Sequence, residues 1–219
     1  CGGCGATGSS SSQVSRTRPR RRAVELTRSN VLPELDLAPL PDPGASWAVI
    51  TGAGSGLGRS LARACMQAGY GVILTEQRRS TAALESLAAE LESMDPMRSR
   101  VVTFLGDLEN PAEGVEVLHK NTTRRGCDVA LLLVASDQFA YTGPFMSQPP
   151  ANLDRMLALN CGATSALCRL FGADMAAAGR GRILLVGAPS GETRGLAGAS
   201  AFGASMAFVR SLAYGLAQQ

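Results

Sequence analysis

The sequence predicts an α/β domain built on a doubly wound, three-layer parallel sheet, and three observations carry that prediction. Short apolar or β-branched runs alternate with helix-period segments from Trp47 onward. A glycine-rich turn joins the first run to the first helix. The composition is that of a globular chain, with 45% hydrophobic, 18% charged and only 5% aromatic residues over 219 positions.

Taken in order, residues 1–29 are rich in Gly, Ser and Arg, and the first acid is Glu25. Such a start has the composition of an organelle transit segment, and equally that of a flexible tail or cloning remnant. A plastid is favoured over a mitochondrion, with the cytoplasm left open. Residues 30–46 carry four prolines, which forbid a helix, and Leu32, Leu35, Leu37 and Leu40 give an extended arm apolar side chains to dock. The chain thus divides into a tail and arm, 1–46, and a domain, 47–219.

Strands are predicted at 47–51, 71–75, 100–105, 128–134 and 182–187. Helices fall at about 57–68, 80–93, 111–122, 152–178 and 199–217. Repeated strand–helix alternation with right-handed crossovers makes a parallel sheet covered on both faces.

Charge excludes one class of partner. The net charge of +3 is concentrated in the tail, where Arg16, Arg18, Arg20, Arg21 and Arg22 stand without an acid. The remainder is net −2, so nucleic acid is not an expected partner of the fold. Apolar runs such as Val129–Ala135 are strand length, and no transmembrane segment is expected. Cys1 and Cys4 have the spacing of half a zinc knuckle, but no second pair follows and His119 is the sole histidine. No metal site and no disulfide framework is expected.

The glycine turn carries the chemistry. Trp47-Ala-Val-Ile-Thr51 runs into Gly52-Ala-Gly-Ser-Gly56-Leu-Gly58, and a helix opens behind it. Gly52 allows a tight turn, Gly56 lets a pyrophosphate approach the backbone, and Gly58 lets helix and strand pack closely. Ser55 and Leu57 lie in the same turn, where the helix N-terminus offers N–H groups and a positive dipole end to phosphate. This is the Rossmann-type arrangement. Glu76 stands 18 residues after Gly58, where a carboxylate accepts from ribose hydroxyls and repels a 2′-phosphate. Arg59, Arg78 and Arg79 pull toward NADP. NAD is slightly favoured, and a cradle that binds nothing stays open as an alternative.

The spacing Thr-Gly-x-x-x-Gly-x-Gly resembles that of the short-chain dehydrogenase/reductase family, and the likeness extends over roughly 47–217. Asp107-Leu108 matches the pair that frames the adenine in that family. Asn160 matches its helix-four asparagine, and Gly143-Pro144-Phe145 and Gly181-Arg182-Ile183 match further landmarks. The resemblance implies a tyrosine, a lysine, a serine and an asparagine that together reduce carbonyls or oxidise alcohols. The tyrosine moves the proton, the lysine lowers its pKa and grips the nicotinamide ribose, and the serine orients the substrate oxygen.

Three of those four side chains are missing. In Phe202-Gly-Ala-Ser-Met206, Phe202 stands at the tyrosine position and Met206 at the lysine position; Ala188 stands at the serine position. Leu133-Val-Ala-Ser136 replaces the family's Asn-Asn-Ala-Gly loop. No other register rescues the pair: four residues beyond Tyr70, Tyr141 and Tyr214 come Leu74, Phe145 and Gln218, and Lys120 is the only lysine. Ser190 lies near the serine position but is no phenol. Asn160 is then expected to be a structural hydrogen-bonding residue.

The family also continues past its fifth helix with two strands, whereas this sequence stops at Gln219, so a longer natural chain or a partner is expected to cover that sheet edge. The expected function is a catalytically degenerate relative serving as a structural or nucleotide-binding subunit of a larger, organellar assembly. Its expected docking surfaces are the arm and helices 152–178 and 199–217. The alternative is an active NAD(P)-dependent oxidoreductase with an atypical proton donor.

Overall fold

The computed structural model describes residue 2 and residues 45–77, 81–95, 100–135, 141–188, 195 and 197–218. Residues 30–44 of the arm, Cys1, Cys4, Arg78, Arg79, Ser136 and Ser190 lie outside the described residues. Apart from Gly2, everything described falls in one compact unit, Pro39–Gln219.

Five strands form one sheet in the order β3-β2-β1-β4-β5: β1 (Ser46–Thr51), β2 (Gly71–Glu76), β3 (Val101–Leu105), β4 (Asp128–Val134) and β5 (Arg182–Leu185). Every pairing is parallel. The sequences SWAVIT, GVILTE and DVALLLV read as nearly continuous apolar runs because β1, β2 and β4 are interior strands covered on both faces. The edge strands β3 and β5 are only half-buried.

Side chains alternate across the pleat. Ala48, Ile50, Val72 and Leu74 face α1 (Gly56–Gln67) and α2 (Thr81–Met94), meeting Ala62, Leu84, Leu87 and Leu91. Val49, Ile73, Leu132 and Val134 face the other way, onto Leu118 of α3 (Val115–Arg124) and onto Leu167 and Phe171. A third, smaller cluster joins Met156 to Phe202, Met206 and Val209 of α6 (Ser200–Leu216).

Two expectations need correction. The predicted helix at 152–178 is not one regular α-helix. It comprises α4 (Pro150–Leu157), a π-helical turn (Ala158–Ala163) and α5 (Thr164–Ala178). The sequence here holds Asn160 and Gly162, weak helix formers in an otherwise Ala- and Leu-rich run. The second correction concerns membrane length. Pro150–Ala178 spans 29 residues, and an 18-residue window within it reaches a mean hydropathy of 1.2, enough by length and composition to cross a membrane. Its apolar content has another use here: Leu159, Ala163, Leu167, Phe171 and Met175 form a stripe at helical spacing, buried against the sheet.

Candidate functional site

The strand order reverses between β1 and β4, and in open parallel sheets the crevice at that point, beyond the carboxyl ends of the strands, is where ligands bind. Glu76 ends β2, and Gly52, Asp107, Ala135 and Ala188 follow the ends of β1, β3, β4 and β5 along this one edge.

The cradle is made by backbone. Gly52 leaves β1 with φ +65°, a left-handed conformation open to glycine at little cost. A Cβ on Gly58 would lie 2.1 Å from the Gly52 carbonyl oxygen, so the third glycine is there for packing. A Cβ on Gly56 would meet nothing within 4 Å: the second glycine borders open space. Most amides of the turn are satisfied. Ala53 N–H donates to the Thr75 carbonyl and Ser55 N–H to that of Gly52. Gly54 N–H donates to Glu76 Oε2 at 2.9 Å, and Gly58 N–H to the capping Ser55 Oγ at 3.0 Å. Among the described residues, the N–H groups of Gly56 and Leu57, at the positive end of α1, have no acceptor. Two free amides beside open space suit a phosphate.

The adjoining strand ends carry acids. Glu76 is more than a solvated strand end: Oε2 takes the Gly54 amide and Oε1 the Gln77 amide, each at 2.9 Å. A carboxylate has four lone-pair sites, so capacity is left for a sugar hydroxyl. Asp107 is exposed, its Oδ1 accepting from Glu109 N–H at 2.9 Å, while Leu108 is buried in the core. Arg59, one of three arginines expected to favour a 2′-phosphate, instead lays its guanidinium on α2, against Ser86 Oγ and the Ala83 carbonyl. On the other side of the switch point, Ala135 N–H donates to Thr51 Oγ1 at 3.1 Å, closing β4 onto β1.

Where α6 begins, the environment turns apolar. Phe202 is 8% and Met206 2% exposed. Both pack with Met156, and Ala188 and Leu153 lie against the same cluster. Asn160, on the π-helical turn and 1% exposed, donates through Nδ2 to Ser205 Oγ at 3.0 Å. Ser205 Oγ in turn donates to the Phe202 carbonyl at 2.8 Å. The asparagine therefore ties the π turn to α6.

A family model described as short chain dehydrogenase matches residues 46–219. The chain belongs to this family. Among curated proteins, it is 29% identical over 150 residues to the very-long-chain 3-oxoacyl-CoA reductase of Coccidioides immitis, covering 68% of this chain and 42% of that protein. With the same-named protein of Emericella nidulans it is 29% identical over 170 residues, 76% of this chain and 47% of the other. The chain thus spans less than half the length of these relatives. Among solved structures, a short-chain dehydrogenase from Sphingobium yanoikuyae in complex with NADPH superposes with a TM-score of 0.70 at 26% identity, over 79% of this chain and 65% of the other. A metagenomic short-chain oxidoreductase in complex with NADP gives 0.70 at 27%, over 80% and 76%.

Within this chain, Asn160, Phe202 and Met206 come together around α6, with Ala188 beside them. The glycines, Glu76 and Asp107 form a separate group along the same edge. Sequence reasoning missed four residues. Ser205 sits inside the stretch that was read for Tyr and Lys, and a serine on the buried side of a helix is a signal that it has a partner. Gln77 and Glu109 directly follow the residues singled out, and Gln77 Nε2 donates to Glu109 Oε1 at 3.2 Å. Arg155 is 46 positions from Glu109 and donates to it twice, at 2.8 and 3.1 Å. This hydrogen-bonded pairing raises the Arg155 pKa above its ordinary value. No local spacing could have announced that pair.

Proposed function

We propose that this chain is a dinucleotide-binding domain of oxidoreductase descent that carries out no hydride transfer of its own. One observation carries the reading: where the family places an ionisable phenol and its ammonium partner, this fold holds Phe202 and Met206, both buried in an apolar cluster. Bound NAD(P) would supply the hydride; the reaction also needs a proton at the substrate oxygen. Phe202 has none to give, Met206 cannot tune one, and Ser205 is hydrogen-bonded into the helix. Losing a positioned acid alone costs roughly 10²–10⁴ in rate. The cradle fits the dinucleotide better: Gly56 borders open space, two amides are free, and Glu76 is held in place to accept ribose hydroxyls and to disfavour a 2′-phosphate. NAD is accordingly the preferred cofactor.

The arginine-rich, acid-poor start and the proline-rich arm support a role as a nucleotide-binding or structural subunit of a larger assembly, an organellar one, with a plastid preferred. Helices α4, α5 and α6 would join the arm in docking, and exposed Phe208 and Tyr214 on α6 support that. Calorimetry and NAD(P)H-oxidation assays test the enzymatic part. The expected result is NAD binding without turnover of ketones, aldehydes or 3-oxoacyl-CoA, and loss of binding in Gly56→Val. Size exclusion of the native protein tests the assembly, a lone monomer counting against it.

The names of the curated relatives favour a second reading, an active reductase with another proton donor. Tyr141 is the phenol to examine. It lies on the segment whose Gly143 N–H donates to the Gly198 carbonyl, just ahead of α6, although its own hydroxyl donates to the Pro144 carbonyl. Turnover abolished by Tyr141→Phe would replace the first reading with this one.

A further inference from the structure

Between Leu153 and Gly162, one short stretch of chain is held from two directions. On one side lies the loop that leaves β3. Glu109 receives Arg155 Nε at 2.8 Å and Nη2 at 3.1 Å, a two-pronged fork, and it also takes the Gln77 side-chain amide at 3.2 Å. Its side chain is 13% exposed against 48% for Arg155, so the carboxylate is largely withdrawn from water and needs its partners. Further along, a Cβ on Gly162 would stand 3.8 Å from Pro111 Cγ, so the same loop lies against the π-helical turn. The loop itself is tightly wound. Asp107 Oδ1 accepts from Glu109 N–H, the Asp107 carbonyl accepts from Asn110 N–H, and a Cβ on Gly114 would clash with that carbonyl.

On the other side lies α6. Leu153 and the buried Met156 pack onto the cluster of Phe202, Met206 and Val209. Asn160 Nδ2 donates to Ser205 Oγ, which donates onward to the Phe202 carbonyl near the start of the helix.

The two sets of contacts alternate along the segment. Leu153 meets α6, Arg155 the loop, Met156 and Asn160 α6, and Gly162 the loop. A shift that serves one neighbour therefore disturbs the other. A π-helical turn, rare in helices and frequent at functional sites, breaks the regular bonding between α4 and α5 at this point. Closely packed elements of this kind exchange between discrete arrangements rather than yielding by degrees.

We infer, on the cradle reading above, that α4 and its π-helical turn form a transmission element, through which occupancy of the crevice is communicated by Glu109 and Arg155 to α6. Arg155 is a positioning residue in this device: it acts on α6 through the segment it belongs to, not on the ligand. Nucleotide and docking partner are then linked, because whatever holds α6 also favours the occupied cradle, and by the same factor. The outer face of α6, with exposed Phe208 and Tyr214, is where a partner would read that occupancy.

Hydrogen exchange of the whole chain, with and without saturating NAD whose binding is followed by calorimetry, tests it. Amides of residues 203–209 should exchange at least about fivefold more slowly with NAD bound. In Arg155→Gln, NAD should still bind, because the glycine turn is untouched, but the slowing should fall below about twofold. Without NAD, the same variant should exchange those amides faster than the wild type while β1 keeps its wild-type rates, which separates a loosened α6 from a generally weakened fold. If Arg155→Gln does not fold, Glu109→Gln, which keeps the shape and removes the charge, takes its place with the same expectations. NAD binding that leaves α6 unchanged, or a slowing that survives in the variant, would overturn the transmission and leave the dinucleotide reading intact. No NAD binding by the wild type would bring down the cradle reading, and the inference with it.

Discussion

Where β1 passes into α1, polar backbone groups face open space; a few strands along the same edge, where β5 leads toward α6, side chains close over one another. The first region is built from amides whose positions follow from the course of the chain and three glycines. The second depends on what three side chains carry, and here Ala188, Phe202 and Met206 carry nothing that ionises. A site made of backbone survives drift in its surroundings for as long as the fold survives. A site made of side chains can be emptied of chemistry by substitutions that leave the fold intact, since apolar replacements pack into the space that charged groups vacate.

The sharpest way to break the comparison is to attack the backbone region through its packing. Gly58→Val should cost about 3 kcal/mol or more in chemical denaturation, because its Cβ would meet the Gly52 carbonyl and the Ala53 Cα, neither of which can swing away. A wild-type-like midpoint would show the turn to be looser than described. Restoring one charge to the apolar region should also cost ~3 kcal/mol, in Met206→Lys, where an ammonium would be buried without a partner. Desolvation lowers such a lysine's folded pKa below its unfolded value. Its penalty is therefore full below the folded pKa and shrinks as pH rises toward 10.4, the unfolded value. A penalty independent of pH would mean that the ammonium reaches water.

Third in size, Asn160→Ala and Ser205→Ala should each cost about 1–2 kcal/mol, and the double variant less than their sum. Strict additivity would separate the π turn from α6. Smaller still, Gly56→Val should change stability by no more than about 0.5 kcal/mol, since its Cβ enters open space. Last, burial lifts the Cys65 and Cys168 thiols from an ordinary 9.0 to about 11. Folding favours their protonated form, so this contribution is present below pH 9 and is lost as pH rises through 9 toward 11. Alkylation at pH 8 should accordingly modify these two thiols much more slowly than in unfolded protein; equal rates would place them at the surface.

The sheet was legible in the sequence because interior parallel strands must be apolar on both faces, which sets Ala48–Thr51, Gly71–Thr75 and Val129–Val134 apart from the amphipathic helices. The cradle was legible because glycine is demanded where backbone turns or packs closely, as at Gly52 and Gly58. What stayed hidden depends on distant partners. Glu76 could be marked as an acid after a strand, but not as a group anchored by Gly54. Arg155 looked like any surface arginine until the fold laid it against Glu109. The π turn was missed because the sequence keeps its hydrophobic spacing straight through 152–178, and only the tertiary contact shows that Asn160 is held by Ser205.

That turn has a mechanical consequence. A π-helical turn holds one residue more than an α-helical one, so α4 is indexed against α5 by a single extra position. Deleting any one residue between Ala158 and Ala163 would let the segment relax into continuous α-helix and rotate α4 by about 100°. The rotation would lift Met156 out of the Phe202 cluster and carry Arg155 away from Glu109 together. The apolar cluster at α6 and the Glu109–Arg155 pair thus hang from adjacent rungs of one short helix, and the inserted residue keeps both in phase.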